Sequence, residues 1–203
     1  MTTKATTKKT STSSTTKPKS IKVTALPQLP KNPFVFEVLD LASKQRSNAK
    51  KVEVLQKYGD PSLKAVLIWN FDESIISMLP EGPVPYSGFE DQASHSGSLT
   101  TKITEEVRKM HETGSFSLGS SDNQGHTTIR REFKHFYHFL KGGNDGMSSI
   151  RRETMFINIL EGLHPLESEI ICLIKDKKLT DKYNITKEIV SEAYPDIQWG
   201  GRS

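Results

Sequence analysis

The chain has 203 residues, a hydrophobic fraction of 34% and a formal net charge of +4. That length suits one domain with an appendage, and the low apolar content implies that part of the chain stays outside the core. The basic balance does not argue for a nucleic-acid-binding fold. Residues 1–32 carry seven lysines and no acid, which leaves 21 basic against 24 acidic residues in the remainder.

Cys172 is the only cysteine, so an intramolecular disulfide is excluded and a reducing compartment is expected. No apolar run reaches the ~18–20 residues that a membrane span requires, and the N-terminus has positive charge without an apolar stretch behind it. A soluble intracellular protein with no membrane contact is expected.

Residues 1–20 hold twelve Ser or Thr and five lysines. They cannot bury enough apolar area to offset the entropy of ordering, so 1–32 is read as a disordered Lys/Ser/Thr-rich tail. Its function is either solubility or a cationic arm on a polyanion. In the second case Lys4, Lys8, Lys9, Lys17 and Lys19 contact nucleic acid. The domain proper is placed at 33–203.

The fold class predicted is all-α: a compact bundle of about six to seven short helices with the disordered N-terminal tail and two long loops. An N-terminal helical group spans 34–79. Phe34, Phe36, Val38, Leu39 and Leu41 begin a helix expected to end near Ser47. A second covers Asn48 to Tyr58, with Gly59 as its C-terminal stop and Pro61 in the first turn of a third that runs from Ser62 to Phe71. The third is apolar on most sides, as central helices are. The group is too small to fold well alone and is expected to dock on the C-terminal helices.

Loops are expected at 80–100 and 114–126 from their Gly, Pro, Ser and Asp content, flanking a helix from Thr101 to Glu112. The helical core then occupies 127–199. Ile129, Phe133, Phe136, Tyr137 and Leu140 make one face of a helix that stops at Gly142-Gly143. The next starts near Ser148, carries Ile150, Phe156, Ile157, Ile159 and Leu160, and breaks between Gly162 and Pro165. Pro165 opens another, with Glu167 and Glu169 near its positive end and Lys175, Lys177 and Lys178 near its negative end. The last is short. Thr186 serves as N-cap, Ile185 and Val190 as a hydrophobic staple, and Tyr194-Pro195 as the stop.

Four segments carry a resemblance: LPEGPVPYS (79–87), REFKHFYHFLKGG (131–143), RRETMFINILEGLHPLESEIICLIKDKKL (151–179) and EAYPDIQWGGR (192–202). They are similar to a family of short proteins of unknown function from T-even-like tailed phages, notably those of marine cyanobacteria. The similarity covers most of 34–202 and is strongest from Arg131 onward, while the tail and the stretch between Ser87 and Thr127 are peculiar to this chain. The resemblance implies a bacteriophage product acting in the host cell cytoplasm, with a place in the virion as the alternative. It implies no activity, cofactor or site residue.

Direct inspection for chemistry removes most candidates. Two Glu-x-x-His pairs, Glu132…His135 and Glu161…His164, have the spacing of di-metal carboxylate ligands, but Gly162 and Pro165 break the helix around the second. No metal and no cofactor are expected. Cys172 lies in the apolar register of its helix, as inert thiols do. Gly142 to Gly146 is a turn rather than a phosphate cradle, and Lys175–Lys187 joins its flanking helices too loosely for a helix-turn-helix.

Two basic doublets, Arg130-Arg131 and Arg151-Arg152, stand in early helical turns, where cations oppose the helix dipole. They are read as paired with interleaved acids or as phosphate contacts. The leading expectation is thus a non-enzymatic accessory protein that contacts nucleic acid, or the phage replication or transcription machinery, through the tail and Arg130, Arg131, Arg151 and Arg152. The alternative is a protein-interaction or virion-associated protein that binds another phage or host protein and no nucleic acid.

Overall fold

The computed structural model describes residues 1–2, 28–86, 97–114 and 125–201. Among these, nine α-helices and one 3-10 helix carry the chain and no strand forms. A single antiparallel bridge joins Ser77 to Leu140. Most of the tail, with Lys4, Lys8, Lys9, Lys17 and Lys19, lies outside the described residues, as does the middle of each expected loop.

Helix α1 (Val35–Ser43) buries Val35, Phe36, Val38, Leu39, Leu41 and Ala42. It stops short of the expected Ser47 because the Gln45 side chain turns back onto the Leu41 carbonyl (2.9 Å). Ser47 instead caps α2 (Asn48–Lys57) by accepting from the Lys50 amide. Helix α3 (Pro61–Phe71) has proline at its first position, and the Asp60 cap accepts from Leu63 N (2.8 Å).

Gly59 joins α2 to α3 without a left-handed backbone. It is needed for space, since a Cβ there would stand 2.6 Å from the Tyr194 hydroxyl and 2.7 Å from the Leu55 carbonyl. That hydroxyl donates to the same carbonyl at 2.5 Å, tying the chain's last helical turn to α2.

Helix α4 (Leu99–Thr113) starts two residues before the expected Thr101, because the Ser98 hydroxyl accepts from Thr101 N (3.2 Å). This places Leu99 in register with Ile103, Val107 and Met110, a buried stripe laid on α7 (Pro165–Lys175). The extended segment before it is held by Val84, whose amide donates to Thr100 Oγ1 and whose carbonyl accepts from Thr100 N.

The expected single helix after Thr127 is in fact two. One turn, α5 (Ile129–Glu132), passes into a 3-10 helix over Phe133–Phe139. With three residues per turn, Phe133, Phe136 and Phe139 align on one side. Phe136 and Phe139 bury against Trp69, with ring centroids 5.2 and 6.2 Å away. Tyr137, expected inside on α-helical spacing, is therefore turned out and 48% exposed.

Helix α6 (Ser149–Gly162) is capped by Ser148, and the expected core residue Ile150 sits on its outer side, 78% exposed. Helix α7 occupies the centre, in contact with α1, α3, α4 and α6. Two short helices, α8 (Leu179–Lys182) and α9 (Lys187–Ala193), finish the fold, α9 packing on α2.

Thr186 holds the N-cap position of α9, but its hydroxyl does not accept from the helix backbone; the side chain of Glu188 bonds to it instead. Ile185 and Val190 are buried as the staple requires. The Asp72 carboxylate accepts from Ser74 N and Gly200 N, fastening the segment after α9 to the end of α3. One hydrophobic cluster runs from Val35 to Tyr194, so the N-terminal helices share their core with the C-terminal ones.

Candidate nucleic-acid interface

The two arginine doublets divide, one member of each engaged by other groups of the protein and the other left to solvent. Arg152 is 2% exposed. Its Nε donates to the His138 carbonyl (2.8 Å), and its Nη2 donates to the carbonyls of Asn144 and Met147 (both 3.0 Å). It thus holds the end of the 3-10 helix to the turn before α6 and is not available to a phosphate, contrary to the expectation for it. The acids expected to pair with it are replaced by main-chain carbonyls.

Arg130 is also committed. Its Nη1 lies 2.6 Å from the Asp60 carboxylate and its Nη2 donates to the Pro33 carbonyl, linking α5 to the starts of α1 and α3. Arg131 and Arg151 point to solvent.

Arg151 stands at an open concavity of about 610 Å³ between the 3-10 helix and α6, lined by His135, His138, Asn144, Met147, Ser148 and Met155 among others. The imidazoles of His135 and His138 are parallel to within 12°, with centroids 6.1 Å apart, and the Tyr137 ring lies 3.9 Å from that of His138. Nδ1 of His138 is hydrogen-bonded to the Asn144 side chain (2.9 Å). Partial desolvation lowers the His138 pKa, and the positive charges of His135, Arg151 and Arg152 lower it further. A cationic potential of that kind favours an anion nearby. The N-terminus of the fourteen-residue α6 opens at Ser148 on the same concavity and adds to it.

The segment from which this concavity is built is net cationic, with Arg151 at the concavity itself, Arg131 at a separate cleft beside Pro33 and Lys141 at another beside Ile75. Residues 130–152 hold six Arg or Lys against Glu132 and Asp145, whereas the rest of 33–203 holds 15 against 22. Glu132 is engaged by the Thr127 hydroxyl (2.6 Å), and Asp145 accepts from Gly142 N within the turn. From the sequence, His135 was weighed only as a metal ligand and Tyr137 was assigned to the core. The 3-10 spacing of the three phenylalanines was the signal that would have placed the rings of His135, Tyr137 and His138 outside.

Other chemistry is accounted for structurally. Helix α6 ends at Gly162, and His164 caps α7 with Nδ1 accepting from Leu166 N (3.2 Å) while its ring stacks on Phe36 (5.1 Å). Glu161 and His164 therefore share no helix face. Burial pushes the Cys172 thiol up to about 12, which keeps it an unreactive thiol near neutral pH. No group of three or more His, Cys, Asp or Glu among the described residues could hold a metal ion, and no described helix is long and apolar enough to cross a membrane.

Glu167 was read from the sequence only as a favourable charge in the first turn of α7. It is 1% exposed and bridges two other helix starts, accepting from Ile129 N (2.9 Å) and Val35 N (3.4 Å). Burial raises its pKa to about 7, against the lowering effect of those amides and of Arg130.

These features define a protein that is all-helical among its described residues, with a ring-lined concavity at which Arg151 and the start of α6 stand. The chain belongs to a family of unknown function (DUF6433), whose profile matches residues 38–123 and 119–181. Neither a curated protein nor a solved structure matches it.

Proposed function

We propose that this is a phage-encoded, non-enzymatic accessory protein that acts in the host cytoplasm by contacting nucleic acid, alone or within the replication or transcription machinery. The observation that carries the reading is the charge partition. An otherwise acidic chain from 33 to 203 carries six cations and two acids in residues 130–152, and Arg151 of these stands at the concavity where α6 begins, with no carboxylate among the residues named there. Surface cations on a polyanion release condensed counterions, and that gain sets affinity. The lysine-rich tail adds a second cationic element. The phage origin is supported by the four segments from 79 to 202 that resemble the phage family.

Salt-dependent anisotropy with labelled DNA tests this. The full chain is expected to bind at low salt, with log affinity falling linearly in log salt. Arg131→Gln with Arg151→Gln should reduce the slope by about 1–2, and deletion of 1–32 should reduce it further. An unchanged slope after the deletion would remove the tail from the account. Absence of binding at low salt would leave the protein-interaction or virion-associated alternative in its place, and abundance in purified virions would favour that alternative directly.

A further inference from the structure

We infer that the concavity between the 3-10 helix and α6 takes single-stranded nucleic acid, its bases stacked on the rings of Tyr137, His135 and His138 and its phosphates held by Arg151 and the α6 N-terminus. This rests on the nucleic-acid reading above and names the form of the polymer.

The chemistry of the lining separates single strands from other polyanions. A site for phosphate alone needs cations and amide donors and has no use for apolar surface. This concavity combines Arg151 and Ser148 with the rings of His135 and His138, parallel to within 12°, and two thioethers, Met147 and Met155; the exposed Tyr137 ring adjoins that of His138 just outside it. Its volume of about 610 Å³ lies in the range of about 300–1,000 Å³ that organic ligands occupy, well beyond one phosphate.

Exposed rings with interleaved cations match the way single strands are held, since every base offers a face to stack and the cations follow the backbone. A duplex hides those faces inside its own stack and would meet only the charges. Tyr137 supports the same conclusion. Nearly half its surface is open to solvent, although the neighbouring Phe136 and Phe139 satisfy the core without it.

The arginines that act on His138 are Arg151 and the buried Arg152. None of the residues named at the concavity is an acid, so a cationic ligand has no counter-charge there. The stack requires no protonation of the imidazoles, and the lowered pKa of His138 keeps its ring neutral near pH 7, where it stacks as a flat apolar surface.

The test compares a labelled thymidine oligonucleotide, its uridine counterpart, a duplex of the same length and inorganic polyphosphate, each titrated with the full chain. Single strands should bind most tightly, and the two sugars separate DNA from RNA as the source. In a Tyr137→Ala, His135→Ala variant the single-strand affinity should fall by about tenfold or more. Duplex and polyphosphate affinities should stay unchanged, and Tyr137→Phe should retain single-strand binding. Equal affinity for duplex and single strand, or an equal loss on polyphosphate in the ring variant, would overturn the inference while leaving the nucleic-acid reading intact. Failure of every polyanion to bind would remove both. Unchanged thermal unfolding of the variant, expected because Tyr137 and His135 lie outside the core, assigns the loss to the surface.

Discussion

Arg152→Met is expected to lower the unfolding free energy by about 3–5 kcal/mol, measured by urea denaturation, whereas Arg151→Met should change it by less than about 0.5 kcal/mol. The guanidinium of Arg152 is the donor to three main-chain carbonyls, from His138, Asn144 and Met147. A buried acceptor stripped of its donor costs about 1–3 kcal/mol, and a hydrogen bond from a charged group is worth more than a neutral one. Methionine fills a similar volume but offers no donor, so the His138 and Met147 carbonyls lose the guanidinium and that of Asn144 keeps only the Met147 amide (3.3 Å). Arg151, one residue earlier, reaches solvent and contributes charge alone. The pair therefore separates stability from binding: the first variant unfolds readily, and the second stays folded with weaker polyanion binding.

Glu167 supplies the second large effect. Its pKa of about 7 in the folded protein lies above the ordinary value of 4.5, so folding favours the protonated carboxyl. Stability from this group is complete below about pH 4.5 and is lost as the pH rises through about 7. The difference amounts to about 3 kcal/mol, at about 1.4 kcal/mol per pKa unit. A plot of unfolding free energy against pH should therefore fall between pH 4.5 and 7 for the wild type relative to Glu167→Gln, whose amide cannot ionise. Parallel curves for the two proteins would show that burial does not raise this carboxyl. The effect is large because one side chain serves two helix starts at once, and an ionised carboxylate there must be desolvated between Val35 N and Ile129 N.

Much of the fold was legible because local signals agreed. Pro61 and Pro165 sit at first helical positions, Ser148 caps α6, and α6 breaks at Gly162 as the Gly-x-x-Pro spacing implies. The docking of the N-terminal helices on the C-terminal ones followed from the small size of the N-terminal group, which cannot bury a core alone. What failed were readings that needed a partner distant in sequence. Nothing local distinguishes Arg151 from Arg152, or Arg130 from Arg131. The choice is made by the turn carbonyls in one case and by Asp60 in the other, seventy residues earlier. Tyr137 was misplaced because α-helical periodicity was applied to a stretch where Phe136 and Phe139 pack on Trp69 at 3-10 spacing. Glu167 looked like a surface charge until the starts of α1 and α5 met it.

The central claim is that function resides on the outer face between the 3-10 helix and α6, over a core whose polar groups are structural. Amide hydrogen exchange of the full chain with and without a saturating thymidine oligonucleotide tests it most directly. Protection is expected to rise at 131–151, with α2, α3 and α9 unchanged. Protection confined to α2 and α9, which contribute no residue to the concavity, would contradict the account.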